Sequence, residues 1–180
     1  DNKDKGAHLT QITKNPGEDV EPTWSPDGRS IAYVTRTNPK LFEYATRHVA
    51  IAPASGSGEE KLLTKSYDRM AFWPRFAPDG KSIYFVADDD GALALANVSL
   101  SDNKVTRAVP GTFAVESFTL AKDGTPAVVL STMDRPNELF VISNGKLNRL
   151  SKENDALLSE LKLAEGEYVS FKSKDGTVVH

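Results

Sequence analysis

The chain has 180 residues, with 22 Lys and Arg against 25 Asp and Glu, for a net charge of −3. That balance argues against a nucleic-acid binder, which needs a basic face, and the 39% hydrophobic share supports a buried core rather than disorder. Cysteine is absent, which excludes disulfide frameworks, thiolate metal sites and cysteine nucleophiles and fits a periplasmic or a cytoplasmic protein equally; no apolar run approaches the ~18 residues of a membrane span.

In chain order, a polar start (Asp1 to Gly6) leads into His8 to Thr13, a short strand-like run. Trp24-Ser25-Pro26-Asp27-Gly28-Arg29-Ser30-Ile31-Ala32-Tyr33-Val34 follows. It recurs 52 residues on as Phe76-Ala77-Pro78-Asp79-Gly80-Lys81-Ser82-Ile83-Tyr84-Phe85-Val86, and 44 further on as Leu120-Ala121-Lys122-Asp123-Gly124-Thr125-Pro126-Ala127-Val128-Val129-Leu130. Each Asp-Gly pair marks a tight turn, because glycine accepts positive φ and aspartate bonds the backbone just ahead. The apolar runs around each turn predict hairpins.

Each hairpin is followed by two further strand-like runs: His48–Ala52 and Lys61–Thr64, then Leu93–Val98 and Val105–Val109, then Glu138–Ile142 and Leu147–Leu150. Four short strands in about 40–50 residues match a β-propeller blade. Blades are expected at about 20–64, 69–109 and 114–151, with His8 to Thr13 as the orphan outer strand of a preceding blade. The fold class is therefore all-β, a partial β-propeller, with residues 1–151 as the propeller domain. Residues 152–180 are expected to form a linker with a short helix from Asn154 or Asp155 to Leu161, then a hairpin from Glu167 with a turn at Asp175-Gly176. Three blades leave two faces uncovered, and the last strand stops at His180, so the chain is expected to continue at both ends. Self-association through uncovered blade faces is the corresponding expectation.

The Ser-Pro-Asp-Gly-Arg-Ser-Ile-Ala-Tyr-Val and Ala-Pro-Asp-Gly-Lys-Ser-Ile-Tyr-Phe-Val segments resemble the repeat of TolB-type propellers. The tail from Leu157 to His180 resembles the segment that joins propeller to hydrolase in the prolyl oligopeptidase family of serine peptidases, in its acylaminoacyl-peptidase-like and bacterial dipeptidyl-peptidase-5-like branch. This resemblance implies a propeller of about seven blades that filters short peptides, followed by an α/β-hydrolase domain with a Ser-Asp-His triad. The partners it implies are short peptides, the rest of the propeller and the hydrolase domain; no cofactor, metal, nucleic acid or membrane is implied. Tyr168, Phe171, Asp175 and Gly176 would form the interdomain hinge.

No Gly-x-Ser-x-Gly nucleophile elbow occurs in the chain, and His180 does not match the triad histidine, which comes late in such enzymes. The chain alone is therefore expected to be inactive, with no catalytic residue. Asp88-Asp89-Asp90-Gly91 lacks the ligand spacing of a calcium loop and reads as an acidic hairpin turn. Aligned on the Asp-Gly turns, Trp24, Phe76 and Leu120 share a register expected in the core between blades. Glu21, Arg69, Trp73, Arg75 and Glu116 lie on or near the first strands, which would line the channel, and are the candidate substrate-channel residues. The alternative reading is a non-enzymatic TolB-like module that binds a protein or peptide.

Overall fold

The computed structural model describes residues 9–41, 44–164, 166–167 and 169–179. The first repeat supplies β1 (Asp19–Trp24), β2 (Ser30–Thr35), β3 (His48–Pro53) and β4 (Lys61–Leu62), the second β5 (Met70–Phe76), β6 (Ser82–Asp89), β7 (Ala92–Ser99) and β8 (Val105–Arg107). The third supplies β9 (Ala114–Leu120), β10 (Pro126–Thr132), β11 (Arg135–Ser143) and β12 (Lys146–Arg149); the helix α1 (Asp155–Ser159) and the short strands β13 (Phe171–Lys172) and β14 (Val178–Val179) follow. Within each repeat the strands pair in chain order. The architecture is a partial β-propeller. Two compact units divide it: Asp1–Phe85 with Val98–Val105, and Val86–Asn97 with Thr106–His180.

In the first unit, β2 and β3 are buried on both faces across Ala32–Thr35 and Val49–Ala50. Their sequences accordingly run apolar without alternation. Tyr33, Ala50 and Ala52 pack together with Leu62, and β5 lies against β1, β2 and β3. The run from Leu9 to Thr13, expected as an orphan strand, is not a strand; His8 lies outside the described residues. Among the described residues it has no ladder partner. Ile12 lines a shallow hollow with Val20, Ile31 and Tyr33, and the Lys14 N–H donates to Glu60 Oε1 at 2.8 Å. Gly17 is required by close approach, because a Cβ there would lie 1.8 Å from the Arg36 carbonyl oxygen.

In the second unit, β10 alternates: Pro126, Val128 and Leu130 are buried and their neighbours are half-buried, the signature of a sheet with one covered face. β7 meets β9 in parallel at Leu93 and Ala114. Asp90 and Gly91, both at positive φ (57° and 73°), make the two-residue turn joining β6 to β7. Asp89 is held by Arg107, with Nη2 2.8 Å from Oδ2, so the acidic run is a salt-bridged hairpin turn. Among the described residues, no group of three or more His, Asp or Glu could hold a metal ion, and no helix is long and apolar enough to cross a membrane.

Two further expectations need correction. Trp24 is 61% exposed rather than core, whereas its equivalents Phe76 and Leu120 are half-buried. Phe76 belongs to the strand that packs onto the first sheet, while Trp24 lies on β1 at that sheet's edge. The helix is Asp155–Ser159 rather than a run to Leu161. Leu157 and Leu161 are 59% and 48% exposed, and a helix this short without a packed apolar stripe gains little from extension.

Candidate functional site

The first strands of the repeats carry the candidate residues. β1 is interrupted by a bulge between Val20 and Thr23, and β9 by one between Val115 and Ser117. Glu21 (φ 56°) and Trp73 (φ 53°) are left-handed, and each is followed by proline, Pro22 and Pro74. A non-glycine residue in that region costs on the order of 1–3 kcal/mol and persists where its surroundings over-determine it. Bulges of this kind redirect side chains and end regular pairing.

The surroundings of Glu21 explain its conformation. Its Oε2 accepts a hydrogen bond from the Trp73 backbone N–H, and its Oε1 lies 4.0 Å from Arg47 Nη1. Arg47 Nη2 is 3.5 Å from Glu18 Oε2, and Arg36 Nη1 is 3.4 Å from the same oxygen. The Arg47 guanidinium also sits 5.4 Å from the centroid of the Phe72 ring, within cation–π range. Its Nε is buried without a hydrogen-bond partner, so the guanidinium is held by charge and ring stacking rather than by full hydrogen bonding. Glu21 is thus engaged in joining two strands of the first unit.

The other candidates differ. Arg75 is exposed, donates from Nη1 to the Pro74 carbonyl at 3.1 Å, and has no carboxylate partner among the described residues. Trp73 is 39% exposed. Arg69 is exposed and donates to the Asp68 carbonyl at 2.7 Å. Glu116, in the second unit, is exposed at the β9 bulge.

In the tail, Tyr168 lies outside the described residues. Phe171 is 63% exposed. Asp175 accepts bonds from the Ser173 hydroxyl and, at 3.0 Å, from the Thr177 N–H. The Ser173 hydroxyl first, then the Thr177 N–H, hold its carboxyl well below the ordinary carboxylate range, at about 2. Gly176 takes φ 87° with open space around it.

One cluster escaped the sequence reading. Glu138 is buried on β11, with Oε1 accepting from Arg149 Nη2 at 3.0 Å and from the Asn154 N–H and Nδ2 at 3.3 and 3.2 Å. Its Oε2 accepts from the Ser151 hydroxyl. Arg149 continues to Asp155 Oδ1 at 2.6 Å, where Arg135 also reaches at 3.4 Å. The Ser151 hydroxyl, followed by Arg149 and Asn154, pulls the Glu138 carboxyl down to about 2. Asn154 therefore spends its side chain on Glu138 rather than on capping α1. The one trace in the sequence is an acid at the head of the apolar run Leu139-Phe140-Val141-Ile142, with an arginine eleven residues on.

The repeat geometry defines a propeller-type β-sheet protein, and the comparisons agree. No protein-family model matches the chain. It is 26% identical to dipeptidyl-peptidase 5 of Porphyromonas gingivalis over 165 residues, covering 89% of this chain and 23% of that protein. It is 30% identical to the Tol-Pal system protein TolB of Bordetella parapertussis over 141 residues, covering 58% of this chain and 31% of that one. Among solved structures, the acylaminoacyl peptidase of Pyrococcus horikoshii superposes with a TM-score of 0.73 at 21% identity, over 93% of this chain and 25% of that one. The β-propeller domain of the Trilobed protease from Pyrococcus furiosus does so with a TM-score of 0.63 at 18% identity, over 85% and 43%. The chain is a relative of the dipeptidyl-peptidase 5 proteins, as the repeats and tail suggested, and it shares the propeller fold with the two peptidases. It spans about a quarter of the length of the Porphyromonas relative.

Proposed function

We propose that this chain serves as the substrate-filtering propeller portion of a serine exopeptidase or oligopeptidase that acts on short peptides, with the catalytic groups supplied by a hydrolase domain outside these 180 residues. The observation that carries this reading is Arg75, an exposed cation on a first strand with no carboxylate partner among the described residues, two residues from the part-exposed indole of Trp73. A guanidinium in that setting suits a peptide's terminal carboxylate, which it can meet bidentately, and an indole face suits an apolar side chain beside it. Arg69, in the same unit, would extend the charged lining, and Glu116 is a separate candidate for a peptide contact in the second unit. Glu21 supports it indirectly, by fixing the backbone at Trp73. Phe171 and the Asp175-Gly176 turn would flex at the junction with the hydrolase.

The test uses an enzyme that carries this propeller joined to a hydrolase domain. Arg75→Gln should raise KM about tenfold for peptides with a free C-terminal carboxylate, the worth of one charge-assisted hydrogen bond. KM for the matching C-terminal amides should stay unchanged. Equal KM values for acid and amide in both proteins would remove Arg75 from substrate recognition.

A second reading, a non-enzymatic module that binds a protein or peptide, is favoured by the 30% identity to TolB. It predicts partner binding without any peptide hydrolysis by the protein that carries this chain. Association of copies through the first sheet, where Trp24 is exposed, would appear as concentration-dependent mass in sedimentation under either reading.

A further inference from the structure

The first strand of each repeat has one edge paired with its second strand. On β1 and β5 the opposite edge is spoiled as a template for a further strand. Pro22 and Pro74 stand at equivalent positions and lack an N–H, the residue before each is left-handed, and the Trp73 N–H is already taken by Glu21. Proline and bulges at an open edge are the usual protection against added strands.

β9 carries a bulge at Glu116, but past it neither proline nor a left-handed residue protects the edge. The position equivalent to Pro22 and Pro74 is Phe118, Ala114–Leu120 contains no proline, and none of its residues takes positive φ. The Ala121 N–H donates to the Thr125 carbonyl at 2.9 Å. Alternation along an antiparallel ladder then turns the N–H groups of Leu120 and Phe118 away from β10. Pro126, which has no N–H, stands opposite Leu120, as that register requires. On the far side, among the described residues, the one strand neighbour is β7, and it pairs at Ala114 alone. From Ser117 to Leu120, past the bulge, the edge thus offers main-chain donors and acceptors, and the strand's single charged side chain is the exposed Glu116 at the bulge.

We propose that the far edge of β9, Ser117 to Leu120, accepts an extended peptide as an added strand, with Glu116 at the adjoining bulge selecting a peptide that carries a cation, either a free amino terminus or a Lys or Arg side chain. Main-chain bonds to Phe118 and Leu120 supply affinity without sequence preference, and the carboxylate supplies the charge preference. This proposal rests on the reading of short peptides as ligands.

The test is calorimetric titration of the 180-residue chain with an acetylated, amidated hexapeptide: one lysine followed by alternating valine and threonine. A peptide with a free amino terminus and glutamine for lysine distinguishes the two cation sources. Phe118→Pro removes one outward N–H and copies what β1 and β5 already tolerate. We expect it to weaken binding about tenfold, the effect of one or two lost hydrogen bonds. N-methylation of the peptide at alternate residues should do the same and needs no variant of the protein. Glu116→Gln should weaken the cationic peptides and leave an acetylated, lysine-free control unchanged. Equal binding of the N-methylated and unmodified peptides, unchanged binding by Phe118→Pro, or no binding of any of these peptides overturns the proposal. The acid-against-amide comparison at Arg75 reads none of these bonds, so failure at β9 and failure of the peptidase reading are told apart.

Discussion

The hairpins at Asp123-Gly124 and Asp175-Gly176 share one turn and little else. In both, the glycine takes φ 87° and donates its N–H to the residue three back, at 2.9 Å to Ala121 and 3.0 Å to Ser173. In both, the aspartate Oδ1 accepts the N–H two residues on, at 2.9 and 3.0 Å. Yet the first joins seven-residue strands and the second joins two-residue strands. The difference lies in burial. β10 turns Val128 and Leu130 into the interior, whereas Phe171, Val178 and Val179 are 63%, 49% and 37% exposed. Turn chemistry places the reversal, and apolar area removed from water decides how far the ladder runs from it.

Side-chain truncation should separate the two hairpins most strongly. Leu130→Ala, at a fully buried site, should lower unfolding free energy by about 2–5 kcal/mol. Val178→Ala should stay within about 0.5 kcal/mol. Urea unfolding followed by tryptophan fluorescence measures both, and a Val178→Ala loss equal to that of Leu130→Ala would mean that the tail hairpin is part of the cooperative core.

The turn glycines sharpen the comparison at smaller magnitude. Alanine at φ 87° is strained to a similar degree in either turn, by about 1 kcal/mol. Gly124→Ala should appear in global unfolding because its hairpin is part of the buried sheet. Gly176→Ala should leave the urea midpoint in place and instead raise amide exchange at Ser173 and Thr177. A matching midpoint shift in both variants would contradict the distinction.

The same contrast shows what was legible in the sequence. The Asp-Gly turns were, because their chemistry is local: Gly28 and Gly80 bond Ser25 and Ala77 as Gly124 bonds Ala121. The four-strand content of each repeat followed from the apolar runs between turns. What depends on packing across the chain was harder to read. The tail's Asp-Gly and β-branched residues predicted a longer hairpin than burial supports. Trp24 matched Phe76 in pattern, but exposure is set by what lies over the strand. The bulges at Glu21 and Trp73 are backbone events whose trace in sequence is only a residue before proline, repeated after 52 positions. That trace hinted at the Glu21 bond to Trp73, and pairing the two by offset could have found it. The Glu138 cluster joins residues from β11 to Asp155, so no single motif announced it.

Acid should expose the last and smallest difference, between two carboxylates lowered to about the same value. Glu138 and Asp175 are both held near 2, below ordinary values of 4.5 and 3.8, each chiefly by a serine hydroxyl, Ser151 and Ser173. A folded-state pKa below the unfolded one means stabilisation that is complete above the unfolded value and is lost as pH falls through the folded value. For Glu138 that window runs from about 4.5 down to about 2, and for Asp175 from about 3.8 down to about 2. Protonating Glu138 removes the negative charge that Arg149 and Asn154 bond together, so amide exchange at Asn154 and through α1 should rise with acidification. Glu138→Gln should show that faster exchange already at pH 6, with little further change on acidification. Protonating Asp175 should quicken exchange at Thr177 alone and leave the blades unaffected. Exchange followed by NMR between pH 6 and pH 2 resolves the two sites. A Thr177 transition that coincides with α1 in the wild type and vanishes in Glu138→Gln would mean that the buried carboxylate, rather than the local Asp-Gly turn, governs the tail hairpin.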